Sequence, residues 1–519
     1  MNARHIMARF GGRNLPSPVS QPSAWRASAL VSLLTLFGLA VHGFHPYVED
    51  GGLYVAGIEK LLDPELFPFW TEFVTEHLRF SVFAPVVATL VRFSHIPLGV
   101  MVFLLYLAGI WLTLWAAGML LRRITKSGYA QAGGLTLLTC WLTLPIAGTS
   151  LMLMDPYVTA RTFSTPLVLF ALSWTLDAIH GQRRALIAVV SALLFAAAIH
   201  PLMAAYGVAA VVVLSLVGAK TPSIRRFSPW MLLGVALLVA ATLQLKAPLE
   251  SPAYIRIALT RYYWFPFDWQ WYEQLGLVAP LLLLWWFAED DTQPRAWKHV
   301  ARSGIVLAML SLAVALLFAR EDYATHLVAR LQPLRAYQTV YELMILLLGA
   351  WLGERILRHH AWRWALLIIS MGGMLFFVQR DTFPNSTHVE LPWKTPSNPW
   401  EQAFLWVREN TPRDALFALD ARYITNGKHE DAQCFRAIAQ RSALADYSKD
   451  GGEASITPSL TTAWTTGEQA QTALEVEPDT LRLQHLRPLG VSWVVLELQS
   501  HTDWGCPYQN STVKVCRLP

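Results

Sequence analysis

The chain has 519 residues, 54% of them hydrophobic and 15% charged. A mean hydropathy of +0.36 is too high for an ordinary soluble globular protein, and several apolar runs are long enough to cross a bilayer. The formal net charge of +5 does not call for a nucleic-acid partner, because the basic residues sit in short connections between apolar runs.

Those connections are Arg122-Arg123 with Lys126, Arg183-Arg184, Lys220 with Arg225-Arg226, Arg295 with Lys298 and Arg302, and Arg355 with Arg358 and Arg363. This is the positive-inside bias of a polytopic membrane protein. Residues 1–26 carry Arg4, Arg9, Arg13 and Arg26 without an acid and read as a cytoplasmic tail. The run Ala29 to Phe44 ends in no small-x-small cleavage site, so it reads as an uncleaved anchor.

The first span, 27–44, exits into an outer loop over 45–96 that opens with His45-Pro-Tyr-Val-Glu49-Asp50-Gly51-Gly52. Acids at the mouth of a membrane helix are costly to desolvate and need a task or a partner to keep them there. A carboxylate at this boundary can serve as a general base on a hydroxyl, or hold a divalent cation. The structural alternative is that Glu49 or Asp50 caps the helix that follows. Neighbours on an extended segment point to opposite faces, so one acid of the pair is expected to reach a site. Leu53, Ala56, Gly57, Leu61 and Leu62 recur at helical spacing and predict a surface helix over 51–62, ended by Pro64 and Pro68. A second amphipathic stretch covers about 79–93.

Further spans are expected near 97–121, 131–150, 163–179, 185–200, 202–219, 229–246, 275–288, 302–319, 337–353 and 364–379. That makes about eleven crossings at roughly 20 residues each, and an odd number from an inside start leaves the C-terminal part outside. The membrane domain is then 27–380, and 381–519 form an extracytoplasmic α/β domain. In the latter, Asn398 to Pro412 reads as an amphipathic helix with Ala403, Phe404 and Val407 on one face. Asp414 to Leu419, Val491 to Leu498 and Thr512 to Leu518 read as strands. Cys506 and Cys516 flank a turn at Asn510-Ser511 and could close a hairpin by a disulfide, which leaves Cys434 single and Cys140 inside a span.

The alternation also sorts the polar connections. Arg161, His200, Arg256, Arg261, Arg330 and Arg335 fall on the outer face, where the charge bias predicts few arginines. A guanidinium there suits a lipid phosphate or diphosphate, and His200 can donate to phosphate or shuttle a proton. The structural alternatives are snorkelling to head groups, pairing with Glu321 and Asp322, and a satisfied histidine at a helix break. Between Arg261 and Tyr272 lies an aromatic loop that suits the membrane interface or a sugar platform, with Asp268 placed to orient a sugar hydroxyl. No Walker motif, GxGxxG or GxSxG occurs, so ATPase, dinucleotide and serine hydrolase readings lack support. No zinc-like Cys/His spacing occurs either.

The layout resembles the membrane glycosyltransferases of GT-C fold that use polyprenyl-phosphate sugars, relatives of the protein O-mannosyltransferases and of the transferases that add aminoarabinose to lipid A. The features that carry it are the opening span, the first outer loop with Glu49-Asp50-Gly-Gly-Leu-Tyr54 and two surface helices, the outer-face arginines, and a C-terminal domain entered through Trp400 to Asp414. The run Arg330-Leu-Gln332-Pro-Leu-Arg335 is similar to a bacterial subgroup of that family.

The resemblance implies an integral protein of the bacterial inner membrane that moves a sugar from a lipid-linked donor to a glycan, lipid or protein hydroxyl at the outer leaflet. Asp50, or Glu49, would be the base. Arg161, His200, Arg261, Asp268, Arg330, Gln332 and Arg335 would bind substrate. No particular cofactor is implied, and a divalent cation is allowed. The alternatives are a flippase of a lipid-linked sugar, for which paired internal repeats are expected and none is found, and a non-catalytic scaffold of the same fold.

Overall fold

The computed structural model describes residues 24–424 and 433–519. Arg4, Arg9 and Arg13 of the expected tail lie outside the described residues. Each expected span contains helix: Ala24–His42, Leu98–Ile124, Gly128–Cys140, Arg161–Ile179, Arg183–Ile199, Pro201–Val217, Pro222–Lys246, Trp271–Glu289, Arg295–Phe318, Tyr337–Leu352, and a last stretch from Ala361 to Thr382 with a π-helical middle. Among the described residues six helices are long and apolar enough to cross a membrane, or seven if the bent pair Glu72–Phe80 and Phe83–Ser94 is one span. The chain is an integral membrane protein.

Of the other expected crossings, Trp271–Glu289 is long enough but less apolar, and the remaining four have 13 to 17 residues. Gly128–Cys140 has 13 residues, which covers about 20 Å of a hydrocarbon core of about 30 Å. Beyond Cys140 the chain leaves the helix, with Ala147 and Ser150 at φ 46° and 56° and an isolated bridge between Pro145 and Met152. The expected span 131–150 is therefore part helix and part loop. The short helix is nonetheless central. A Cβ on Gly133 would stand 2.3 Å from the Gly349 carbonyl oxygen, so this helix meets Tyr337–Leu352 backbone to backbone, as small residues allow in membrane helix pairs.

The loop that follows the first span is fixed from two sides. Phe44 donates its N–H to the His388 carbonyl at 2.9 Å and accepts from Glu390 N at 2.9 Å, while His45 N reaches the Pro156 carbonyl at 2.8 Å. The exit of the first span is thus tied both to the segment after the last one and to the connection before Arg161. The two helices expected at the surface lie at Glu49–Leu62 and Phe83–Ser94, but the first is no surface helix: Gly51 to Leu53 and Val55 to Glu59 are buried and none of its residues is exposed. The second buries Phe83, Ala84, Val87 and Ala88 and leaves Val86, Leu90 and Phe93 exposed, an apolar outer stripe suited to lipid.

The C-terminal domain is a small α/β layer structure. Its strands are β1 (Leu416–Ala418), β2 (Ser442–Ala443), β3 (Trp493–Glu497), β4 (Tyr508–Gln509) and β5 (Val513–Arg517), in the order β2-β1-β3-β5-β4. β1 is parallel to β2 and β3, and β5 is antiparallel to β3 and β4. Alternate residues feed two faces: Phe417, Val495 and Val515 pack on Ala403, Phe404 and Val407 of helix Pro399–Asn410, while Leu416, Val494 and Leu496 pack with Leu474 and Leu486. That helix starts with the Asn398 side chain accepting from Trp400 N at 2.9 Å and with Pro399 in its first turn. Cys506 and Cys516 are joined by a disulfide across the β4–β5 hairpin; Cys140 and Cys434 are free thiols.

Candidate active site

The helix Glu49–Leu62 begins on the two acids. Val48 holds the N-cap position without a side-chain bond, so neither acid is the cap. Glu49 and Asp50 occupy the first turn, where the positive end of the helix favours carboxylates, and Glu49 has φ 51°, uncommon for a non-glycine residue. The glycines that follow have a packing reason. A Cβ on Gly51 would lie 2.7 Å from the Pro46 carbonyl oxygen, and one on Gly52 would lie 2.2 Å from Cys434 Cβ. Only bare backbone lets the acidic turn be pressed this closely against Pro46 and Tyr157 on one side and Cys434 on the other.

The expectation that one acid alone reaches a site is corrected here. An extended pair diverges, whereas a helical turn lets both carboxylates converge on one cation, the Lys449 ammonium. Lys449 pairs with Glu49 and lies 3.4 Å from Asp50 Oδ1. The sequence reading missed this lysine, because a single basic residue in a soluble stretch carries no pattern.

Arg261 explains where Lys449 is held, and its expected role as a phosphate ligand is replaced by a structural one. Its Nη1 donates to the Ser448 carbonyl at 2.8 Å, its Nη2 to the Tyr447 carbonyl at 2.9 Å and its Nε to Thr260 Oγ1 at 2.9 Å. The two terminal nitrogens are thus engaged on the turn immediately before Lys449, and Nε on the neighbouring Thr260. The Lys449 N–H donates to Asp446 Oδ1 at 2.6 Å, and the next residue, Asp450, holds Arg436 through two bonds of 2.8 Å.

Around Asp50 the charges come from distant loops. Burial raises the Asp50 carboxyl above the usual carboxylate range and Asp155 adds to the rise, while Arg161 and Arg335 oppose it. Its side chain is still 45% exposed, so this is a crowded carboxylate that an acceptor can approach. Arg161 is paired with Asp155, both almost fully buried, and its Nε has no partner. Arg335 forms no side-chain hydrogen bond or ion pair among the described residues, and its Nε is buried without a partner. Burial and the like charge of Arg161 lower its pKa. Glu453, buried one helical turn beyond Lys449, is pushed up to about 8 by burial and then by the Asp50 charge, so it faces the site as a neutral acid at pH 7.

The remaining expected ligands divide. His200 caps the helix Pro201–Val217, Nδ1 accepting from Met203 N at 3.5 Å. Burial, Arg335 and Arg161 bring it down to about 3, so it is neutral and lies within the field of the arginine pair. Arg330 donates to Tyr254 Oη at 3.3 Å and stands over that ring; neither it nor Arg335 pairs with Glu321 or Asp322, whose partners are Asp268 and Arg320. Gln332 takes φ 52° and shapes the turn that presents Arg335, whose N–H donates to the Gln332 carbonyl at 2.9 Å; its Oε1 is buried without a partner. Asp268 is exposed and bonded to Glu321, so it faces another carboxyl instead of the acidic turn. In the aromatic loop Trp264, Phe265 and Trp269 are core residues, and Tyr262, Phe267, Trp271 and Tyr272 are exposed.

Two small cavities adjoin these groups. Arg335 and Gln332 line one with Thr149, Tyr263 and Trp264; Asp155 and Arg161 line the other with Thr113, Thr162 and Thr165. Among the described residues no group of three or more His, Cys, Asp or Glu side chains is placed to hold a metal ion. The Lys449 ammonium sits where a cation bridging Glu49 and Asp50 would stand, so the acidic pair does not fit the divalent cation that the sequence allows.

No protein-family model matches the chain, and no curated protein sequence matches it. In structure the chain is similar to the oligosaccharyltransferase of Archaeoglobus fulgidus in its apo form, at TM-score 0.47 and 12% identity over 92% of this chain and 70% of that one. It is likewise similar to oligosaccharyltransferase AglB from Archaeoglobus fulgidus in complex with an inhibitory peptide and a dolichol-phosphate, at TM-score 0.47 and 12% identity over 91% and 69%. Arabinofuranosyltransferase AftD from Mycobacteria aligns at TM-score 0.49 and 13% identity over 97% of this chain and 42% of that chain. At these scores the likeness is partial.

Proposed function

We propose that this protein transfers a sugar from a polyprenyl-phosphate carrier to a hydroxyl acceptor at the extracytoplasmic face of a bacterial plasma membrane. Asp50 is the general base, and Arg335 with Arg161 receives the carrier phosphate. Asp50 accepts the acceptor's hydroxyl proton as that oxygen bonds to the anomeric carbon. The bond from that carbon to the phosphate oxygen breaks, and the departing phosphate takes up the electron pair in the field of the two guanidiniums. A single displacement inverts the anomeric centre. Fixed charge aimed at the leaving group is the kind of stabilisation that dominates many enzymes.

One observation supports this above the others: Asp50 lies within the fields of Arg161 and Arg335, while Arg335 itself has no protein anion bound among the described residues. A desolvated, unpaired guanidinium is costly, and a phosphate is the partner its planar fork fits best. The outward orientation follows from placing the Arg-rich connections inside.

The test is thermal unfolding of the detergent-purified full chain with and without polyprenyl phosphate. The wild type and Arg256→Gln, altered at an exposed arginine, are expected to be stabilised by the lipid, since a ligand that binds only the folded state raises its stability. Arg335→Gln is expected to lose that rise. Equal stabilisation of Arg335→Gln would defeat the assignment of the phosphate site.

A further inference from the structure

We infer that Lys449 is a positioning residue of this site: its ammonium, delivered by the C-terminal domain, holds Glu49 and Asp50 together and keeps the base ionised and aimed, so that both halves of the chain form one catalytic unit. The inference rests on Asp50 being the base.

Two adjacent carboxylates repel each other, and each disfavours ionisation of its neighbour. Lys449 contacts both. The other charged groups that face Asp50 are Arg161, Arg335, Asp155 and Glu453, with the Tyr54 phenol beside them. Of the cations, Arg161 is committed to Asp155 and Arg335 is reserved for substrate in the reading above. Lys449 is therefore the counter-charge in contact with the acids.

Its placement is also over-determined. Arg261 grips the two preceding carbonyls, Asp446 takes its N–H and Asp450 is anchored to Arg436. A side chain that merely lay on a surface would need none of this. Burial pulls the ammonium down to about 8, so it remains charged at neutral pH.

Two measurements on the full chain test this without a substrate. A water-soluble carbodiimide joins an amine to a carboxylate only in direct contact, and mass spectrometry of the wild type is expected to find Lys449 amide-linked to Glu49 or Asp50. Absence of that link overturns the inference. A hydrophobic carbodiimide modifies protonated carboxyls, so the pH at which labelling of Asp50 falls by half reports its ionisation. Lys449→Gln is expected to raise that midpoint by about one pH unit or more, and Lys449→Arg to restore it; an unmoved midpoint in Lys449→Gln overturns the inference. If the midpoint moves but Asp50→Asn still transfers sugar, the lysine clamp stands and the base assignment fails. If Asp50→Asn is inactive but the midpoint does not move, the base stands and the clamp fails.

Discussion

Arg161 and Asp155 form an ion pair in which the two side chains are only 7% and 5% exposed. Its position decides how the field at Asp50 is built, because Arg161 favours ionisation of that carboxyl and Asp155 opposes it. Replacing one member of a buried pair leaves the other charge unpaired, at a cost of about 3–5 kcal/mol. Asp155→Asn is therefore expected to lower the unfolding temperature clearly. In whatever fraction folds, the acid limb of the transfer profile should move to lower pH, since a charge that raised the Asp50 pKa has gone. A shift to higher pH would contradict the stated role of Asp155.

His326 gives a pH dependence to the connection that carries Arg330 and Arg335. Burial alone would lower its pKa, but the bond to Glu250, the Glu321 carbonyl and the charges of both acids outweigh it and leave it raised. Glu250 receives Nδ1 at 2.7 Å and the His326 N–H at 3.0 Å. A raised histidine pKa means that the bound proton favours the folded state. The contribution is complete below the unfolded value of 6.5 and is lost as pH rises through the folded value. Between about pH 6 and pH 8, around which histidine titrates, wild type is expected to lose more thermal stability than His326→Gln. Equal slopes would remove this pair from the account.

The acidic turn depends on Gly52. In Gly52→Ala the added Cβ meets Cys434 Cβ at 2.2 Å, and overpacking of this kind costs about 1–3 kcal/mol. Lower stability and lower transfer are expected together, with partial recovery on adding Cys434→Gly, which removes the colliding atom. No recovery in the double variant would mean that Gly52 is required for another reason.

The hairpin disulfide is expected to stabilise the C-terminal domain. Cys506 and Cys516 are ten residues apart, and closing such a loop is worth about 2–4 kcal/mol. The double variant Cys506→Ser with Cys516→Ser should unfold at lower temperature in oxidising buffer and match the reduced wild type. Identical behaviour of oxidised wild type and variant would contradict this.

Helix positions in the membrane domain were legible because apolar runs alternate with Arg-rich connections, and each expected span holds helix. Their lengths were less so: Gly128–Cys140 stops early because the following residues pack as an irregular loop whose positive φ values leave no periodic trace. In the C-terminal domain the strands around Leu416, Val494 and Val515 stand out as apolar runs, whereas β2 and β4, of two residues each, are too short to show a period. The acidic pair, Arg161 and Arg335 could be singled out by residue type and by their place in the alternation of apolar runs and basic connections. Arg261 could not be told from them, since its partners are carbonyls of residues 447 and 448, far away in the chain. Lys449 was invisible for the same reason, as its meaning lies in a contact with Asp50 across a separation of 399 residues.

The most direct measurement is sugar transfer from a polyprenyl-phosphate donor by Asp50→Asn, purified beside wild type and matched to it in unfolding temperature. Removing a general base typically costs about 10²–10⁴ in rate, and a loss of that size, with binding of polyprenyl phosphate retained, is the result this account requires. Transfer at the wild-type rate by a folded Asp50→Asn protein would contradict it.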